Sequence, residues 1–389
     1  MKKRKIIAVS GARSDYDLLF SVYNKLDKDP EIEFKIVITG PNLSDNYGYT
    51  GGNIEEDGFQ IAGKIFNLVD SSQKIGRIIS IGLQIPSLAN LLNQEKPDIV
   101  IVAGDREESI TVTMSCAYLD IPVAHFFGGD IAKDGNIDNS VRYAASKFAH
   151  IHFPTLEEHK KTLLKLGEDD WRIHVIGNPA LDRIKEIPLL SKDKIFSNLN
   201  VEAKQISNYS VLIQHPIITQ VEQQSNHIKI TLEALLNADG HYFINFPNSD
   251  AGSHEIIKAY RSYAENHPEK FTLFQNINRV DYINLLRSAD FLIGNSSSGI
   301  VEVASLGLAA INVGERQKGR LHGDNVIFVD NNIEEILNAI DRVRNDHDFR
   351  SKVKLKINPY GDGSSADKAV AVLKKIDLNS DLIYKNITY

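Results

Sequence analysis

Short apolar runs recur along the whole chain, and each is followed by Gly, Pro or Asn and then by helical periodicity. The runs are Lys5–Ser10, Phe34–Thr39, Ile99–Ala103, Val123–Phe127, Ile173–Ile176, Val211–Gln214, Tyr242–Phe246, Phe291–Ile293 and Ala309–Val313. Strands this apolar need cover on both faces. The stretches between them, such as Asp17–Lys28, Ile75–Asn93 and Ile228–Asn237, carry the helical spacing that supplies it. The pattern predicts an α/β fold built on parallel sheets.

At 389 residues the chain is long for one core, so two domains are expected. The series breaks near Gly177–Leu190, where GNPALD leads into a mixed polar stretch, and it restarts after Tyr209. We expect one Rossmann-like domain over residues 1–178, rejoined by a C-terminal helix within 366–389, and a second over 179–365. Lys plus Arg number 44 and Asp plus Glu 51, a formal net charge of −7. That balance argues against a nonspecific nucleic-acid binder. Cys116 is the only cysteine, which excludes an intramolecular disulfide and a paired-cysteine zinc site. The basic start Met1–Lys5 precedes an apolar run, Ile6–Val9, too short for a signal-peptide core. No stretch is read as long and apolar enough to cross a membrane. A cytoplasmic enzyme or binding protein is the expectation.

In open parallel sheets, ligands bind outside the carboxyl ends of strands, and the polar motifs here all follow strands. The first, Gly11-Ala12-Arg13-Ser14-Asp15-Tyr16, lacks the spaced glycines of a dinucleotide fingerprint and the Gly-Lys-Ser/Thr of a P-loop. Arg13 is placed either to reach a phosphate or to sit solvated at a helix start. Gly104-Asp105-Arg106-Glu107-Glu108 follows IVIVA. Asp105, nearest the sheet edge, is a candidate catalytic carboxylate in a cluster that otherwise reads as a solvated helix start. In His125-Phe126-Phe127-Gly128-Gly129-Asp130 two glycines let backbone approach a ligand, with Asp130 as a second carboxylate. Asp138 opens a helix carrying Arg142 and is either a third carboxylate or that helix's N-cap. Clustered carboxylates raise one another's pKa and can divide acid and base roles.

In the second half, Gln214-His215-Pro216 and Phe246-Pro247-Asn248-Ser249-Asp250 end strands. In Gly294–Glu302, GNSSSGIVE, a strand empties into a Gly-Ser turn that opens a helix. Its backbone N–H groups and the hydroxyls of Ser296, Ser297 and Ser298 make either an anion site or a plain helix cap. Glu302 suits sugar hydroxyls better than phosphate. Arg316, Lys318 and Arg320 follow the next strand and would neutralise a pyrophosphate beside the turn. No histidine spacing demands a metal.

Taken in order, GARSDY, GDREE, HFFGGD, GNIDNSVRYAASKFAHIHF, GNPALD, HP, PNSDAG, GNSSSGIVE, INVGERQKGR and NPYGDG resemble the hydrolysing UDP-N-acetylglucosamine 2-epimerase family, in the type that serves sialic and legionaminic acid synthesis. The resemblance covers nearly the whole chain. It implies the GT-B architecture, two Rossmann-like domains with the nucleotide sugar between them. It also implies a homodimer or homotetramer, a UDP-sugar as the ligand, and no nicotinamide cofactor; from the charge balance and the apolar pattern, neither a nucleic-acid nor a membrane partner is expected. By position it implies that Asp105, Asp130 and Asp138 surround the sugar. Arg13, Asp15, Arg106, Arg142, His215, Asn248, Ser296, Ser297, Ser298, Gly299, Glu302 and Arg316 are the implied substrate contacts.

The implied reaction suits these residue types. Carbon 2 of the sugar has no adjacent carbonyl, so loss of UDP from carbon 1 precedes or accompanies removal of the carbon 2 proton and yields a glycal. Water then adds at carbon 1 while a proton returns to carbon 2 from the other face. UDP-N-acetylglucosamine is the favoured substrate, and UDP-N,N'-diacetylbacillosamine follows closely. A GT-B glycosyltransferase would keep the same diphosphate site, and a non-hydrolysing epimerase would return the UDP-sugar. Four positions depart from the family pattern: Asp130 stands for a glutamate, Tyr143 and Asn42 for histidines, and Asp17 for a small or neutral residue.

Overall fold

The computed structural model describes residues 3–70, 75–131, 137–202, 206–247, 252–275 and 277–386. The chain divides into two compact units, Met1–Arg183 with Tyr360–Tyr389, and Ile184–Pro359.

The first unit holds a parallel sheet of β1 (Arg4–Ser10), β2 (Ile32–Thr39), β3 (Ile61–Ile65), β4 (Ile99–Ala103), β5 (Val123–Phe126) and β6 (Ile151–Phe153), in the order β3-β2-β1-β4-β5-β6. Successive side chains on a strand point to opposite faces. Ile6 and Ala8 therefore join one core with Leu19, Val22 and Leu26 of the helix Arg13–Lys28 and with Ala369 and Leu373 of the helix Ser365–Lys375. Ile7 and Val9 join the other, with Leu88, Leu92, Val112 and Cys116. The second unit repeats the plan with β7 (Tyr209–Ile213), β8 (His241–Asn245), β9 (Phe271–Phe274), β10 (Phe291–Gly294), β11 (Ala309–Val313) and β12 (Val326–Val329), ordered β12-β11-β10-β7-β8-β9. Both sheets reverse their winding direction between the first and fourth strands, β1 and β4 in one and β7 and β10 in the other. That reversal opens a crevice at the strand ends in folds of this class.

Three sequence expectations need correction. The strands β3, β6, β9 and β12 were not anticipated, and all four are sheet edges. Ile173–Ile176 is not a strand. Only Ile173 bridges to His152, and the chain then runs beside β6 through His174 N–H to His152 O (2.9 Å) and Ile176 N–H to Pro154 O (3.2 Å). Pro154 has no N–H to return a bond, so no ladder forms. Finally, the helix Ile75–Glu95 has 21 residues and contains an 18-residue stretch of mean hydropathy 1.3, long and apolar enough to cross a membrane by those measures alone. Its buried positions, Gly76, Ser80, Gln84, Leu88 and Leu92, form one narrow stripe against the first unit. Ile75, Ile78, Ile79 and Leu83 remain exposed.

Candidate functional site

In the first unit the three aspartates converge on one helix, Asp138–Phe148. Its buried Arg142 donates from Nη2 to Asp105 at the exit of β4, and its Nη1 lies 3.3 Å from Asp130 Oδ2 in the loop after β5. Asp130 Oδ1 lies 3.3 Å from His159 Nε2 and accepts from the Ile131 N–H at 2.8 Å. Asp138 is the first residue of the helix, with Ile137 at the cap position, so its carboxylate complements the helix dipole without being the N-cap. It stands 4.0 Å from Arg77 Nη2, and Arg77 also pairs with Glu107.

Asp138 lines a cavity of about 420 Å3 together with Gly40, Asn67, Arg77, Arg106 and Glu108. Glu108, which sequence reading passed over, forms a buried part of the wall. A Cβ on Gly11 would lie 2.5 Å from its Cδ, and one on Gly40 would lie 2.4 Å from its Oε1. The two glycines are the space this carboxylate occupies. Burial pushes its pKa up, against the pull of Arg106, whose Nε is 3.4 Å away.

The β1 loop is held by local contacts. Asp15 Oδ2 accepts the N–H groups of Gly11 (3.1 Å) and Ala12 (2.9 Å), so it satisfies the start of its own helix. That geometry makes it a cap for its own helix. Arg13 is exposed and pairs with Asp17 at 3.4 Å, and Asp17 also holds Arg183 at 2.6 Å. Asn42, one of the family departures, is fully buried. Its amide donates to Ser10 Oγ (3.0 Å) and accepts from Thr50 Oγ1 (2.7 Å), a link inside the fold.

In the second unit β7 and β10 meet with almost no space between them. Gly294 has φ +120°, and a Cβ there would lie 2.0 Å from the Ile213 carbonyl oxygen. The next residue, Asn295, is buried and clips the two strand exits together. Its Oδ1 accepts the His215 N–H at 2.6 Å and its Nδ2 donates to the His215 carbonyl at 2.9 Å. Arg316 Nη1 (3.1 Å) and Gln317 Nε2 (3.0 Å) both donate to the Asn295 carbonyl, which places Arg316 at the start of the Ser turn. Lys318 pairs instead with Asp330 at 3.4 Å, and Arg320 donates to Gln317 Oε1 at 2.9 Å.

The Ser turn opens a helix, as its sequence suggests. The helix comes in two short pieces, Ser298–Val301 and Val303–Leu306, broken at Glu302. The N–H groups of Gly299 and Ile300 donate to the carbonyls of Ser296 (3.1 Å) and Ser297 (3.0 Å). Gly299 packs its backbone on β11, where a Cβ would touch that of Ala310 at 3.3 Å. Glu302 is engaged as well: Arg279 donates to one oxygen and Ser298 Oγ donates to the other at 2.6 Å. Burial alone would raise the Glu302 pKa, but Arg279 and Ser298 hold it below the usual range. Tyr282 donates to Ser298 Oγ at 2.9 Å and completes the chain. Ser297 is exposed and Ser296 half-buried. Asn248 lies outside the described residues.

The family model for UDP-N-acetylglucosamine 2-epimerase matches residues 24–374. A Legionella pneumophila protein named UDP-N,N'-diacetylbacillosamine 2-epimerase (hydrolyzing) is 33% identical over 99% of this chain and 100% of its own length. A Campylobacter jejuni GDP/UDP-N,N'-diacetylbacillosamine 2-epimerase (hydrolyzing) is 33% identical, covering 99% of each chain. Among solved structures, the Neisseria meningitidis UDP-GlcNAc 2-epimerase bound to UDP-GlcNAc superposes with a TM-score of 0.79 at 19% identity, over 96% of this chain and 100% of that one. The two Rossmann-like units are those of the GT-B fold, as the resemblance implied. With the family model spanning most of its length and two full-length relatives at one-third identity, the chain belongs to the UDP-N-acetylglucosamine 2-epimerase family.

Proposed function

We propose that the chain hydrolyses a UDP-linked 2-acetamido sugar with inversion at carbon 2. The observation that carries this is Arg142 bridging Asp105 and Asp130 from the helix that also bears Asp138. A buried guanidinium that neutralises two carboxylates lets three acidic groups gather around one sugar ring. The carbon 1–oxygen bond breaks with its electron pair leaving on UDP. A carboxylate takes the carbon 2 proton, and the glycal forms. Water adds at carbon 1, its hydroxyl staying on the sugar, as a second acid returns a proton to the opposite face of carbon 2. In the second unit Arg316 and the hydroxyls of Ser296 and Ser297 serve the diphosphate, with Asn295 and Glu302 in supporting positions.

The substrate we favour is UDP-N,N'-diacetylbacillosamine, because the two relatives at 33% identity carry that activity in their names. UDP-N-acetylglucosamine is the second reading, supported by the ligand of the Neisseria meningitidis structure. The free epimerised sugar would feed nonulosonic acid synthesis in the cytoplasm. Comparing kcat/KM for UDP release from both sugars tests the choice. At least a tenfold preference for the diacetamido sugar is expected, about the discrimination one buried hydrogen-bonding group gives; the reverse order would overturn it.

The protein is further proposed to assemble with copies of itself through the helix Ile75–Glu95. Between Arg77 and Glu95 that helix has no charged residue, and Ile78, Ile79 and Leu83 are exposed on it. For a chain of net charge −7, a charge-free apolar face is where two copies repel least. Leu83→Glu should convert the assembly to monomers in light scattering; an unchanged mass would place the contact elsewhere.

A further inference from the structure

Behind the three aspartates lies a buried pair that the reaction does not use. His125, in β5, is fully buried. Its Nε2 lies 2.8 Å from the Gly104 carbonyl, and its Nδ1 lies 3.1 Å from Ser146 Oγ. A carbonyl only accepts, so the ring proton sits on Nε2, and Nδ1 accepts the Ser146 hydroxyl proton. Burial pushes the His125 pKa down to about 4, against the Gly104 hydrogen bond, so the ring is neutral at working pH.

Each contact of this pair leads to an aspartate. Gly104 immediately precedes Asp105. Ser146 lies on the helix that starts with Asp138 and carries Arg142. The loop bearing Asp130 rests on the pair itself: a Cβ on Gly128 would stand 3.0 Å from Ser146 Oγ and 3.3 Å from His125 Nδ1. Gly129 has φ +79° and presses on the His159 backbone, where a Cβ would fall 2.2 Å from the carbonyl oxygen; His159 in turn meets Asp130. The far end of the helix is fixed as well, because Lys385 Nζ donates to the carbonyls of Ser146 (3.1 Å), Lys147 (2.8 Å) and Ala149 (2.6 Å).

We propose that His125 and Ser146 are positioning residues for the epimerisation, holding the Asp105, Asp130 and Asp138 segments in the one arrangement that Arg142 can bridge. The proposal rests on the reading of those aspartates as the reacting carboxylates. Without the pair each segment keeps its own strand or helix, and only their mutual register loosens. Substrate binding through the second unit is untouched, whereas the chemical step depends on placement to within about an ångström.

The test compares wild type with Ser146→Ala, His125→Gln and His125→Asn by UDP release from both UDP-sugars across pH 5.5–9. Asn places an acceptor near Nδ1 and keeps the Ser146 bond; Gln places a donor near Nε2 and keeps the Gly104 bond. Ser146→Ala removes one hydroxyl and serves if the histidine variants do not fold. The expected result for Ser146→Ala and His125→Gln is a fall in kcat of about 10- to 100-fold, KM within about twofold, and a pH profile lowered without a change of shape. His125→Asn should recover part of the loss. Loss of one limb of the pH profile in the histidine variants would make His125 a proton carrier and overturn the proposal. Ser146→Ala kinetics within about twofold of an active wild type would overturn it too. A wild type that turns over neither sugar would instead refute the proposed function itself.

Discussion

Gly294→Ala is the sharpest test of how the second unit is assembled. Gly294 ends β10, pairs with Ile213 of β7 and has φ +120°. An alanine there would put its Cβ 2.0 Å from the Ile213 carbonyl oxygen and 2.6 Å from the carbonyl carbon. Both obstacles are backbone, so no side chain can swing aside. The strained φ costs about 1–3 kcal/mol, and the steric shift of one central strand against another about 1–3 kcal/mol more. Together they predict a loss of about 4 kcal/mol. For a domain of this size that is a fall in Tm of about 8–16 °C in the second unit's transition by scanning calorimetry. Affinity for UDP should fall as well, because Asn295 and the Ser turn follow directly. Gly52→Ala is the control. Gly52 lies in the helix Gly51–Glu56, where a Cβ would meet only the Tyr49 ring at an ordinary 3.5 Å, so alanine should stabilise slightly. If Gly294→Ala melts within about 3 °C of wild type, the close approach of β7 and β10 is not a constraint and the reasoning fails.

Asp105→Asn should leave the melting temperature within a few degrees of wild type and lower kcat by about 10²–10⁴, read by UDP release; retained turnover would remove Asp105 from the chemistry. Arg316→Ala should weaken UDP binding about 10- to 100-fold by titration calorimetry, as expected for a lost charged hydrogen bond. Glu168 sets an acid limit. Burial would raise its pKa, but His152 (2.9 Å), Lys385 (2.6 Å) and Lys147 (2.7 Å) bring it down to about 2 from the ordinary 4.5. A depressed carboxylate stabilises the fold fully above its unfolded pKa and less as pH falls through the folded one. Stability of about 3 kcal/mol should therefore drain away between pH 4.5 and 2. Glu168→Gln should start lower at neutral pH and show a flatter acid slope in urea unfolding.

The interior of both sheets was readable because β1, β2, β4 and β5, and likewise β7, β8, β10 and β11, are apolar enough to be covered on both faces. The edge strands were not. β3 reads IAGKI and β6 has three residues, too short or too mixed to stand out from loop. In the first unit, motif order singled out Asp105, Asp130 and Asp138, since each follows a strand or opens a helix, and the structure brings all three beside the helix of Arg142. Motif order does not show which acceptors are held by partners remote in sequence. Glu302 is 23 positions from the Arg279 that occupies it, and nothing local announces the pair. Asp15 is the opposite case, because its partners, Gly11 and Ala12, are its immediate neighbours. His125 and Glu108 sat inside recognised motifs, but only their neighbours in space reveal what they hold.

The elimination mechanism is tested most directly in heavy water. Incubation with UDP-N,N'-diacetylbacillosamine, followed by proton NMR, should yield UDP and free 2-epimerised sugar with one deuterium at carbon 2 in every product molecule. A UDP-sugar returned epimerised with no free sugar, or free sugar retaining its carbon 2 proton, would contradict the account.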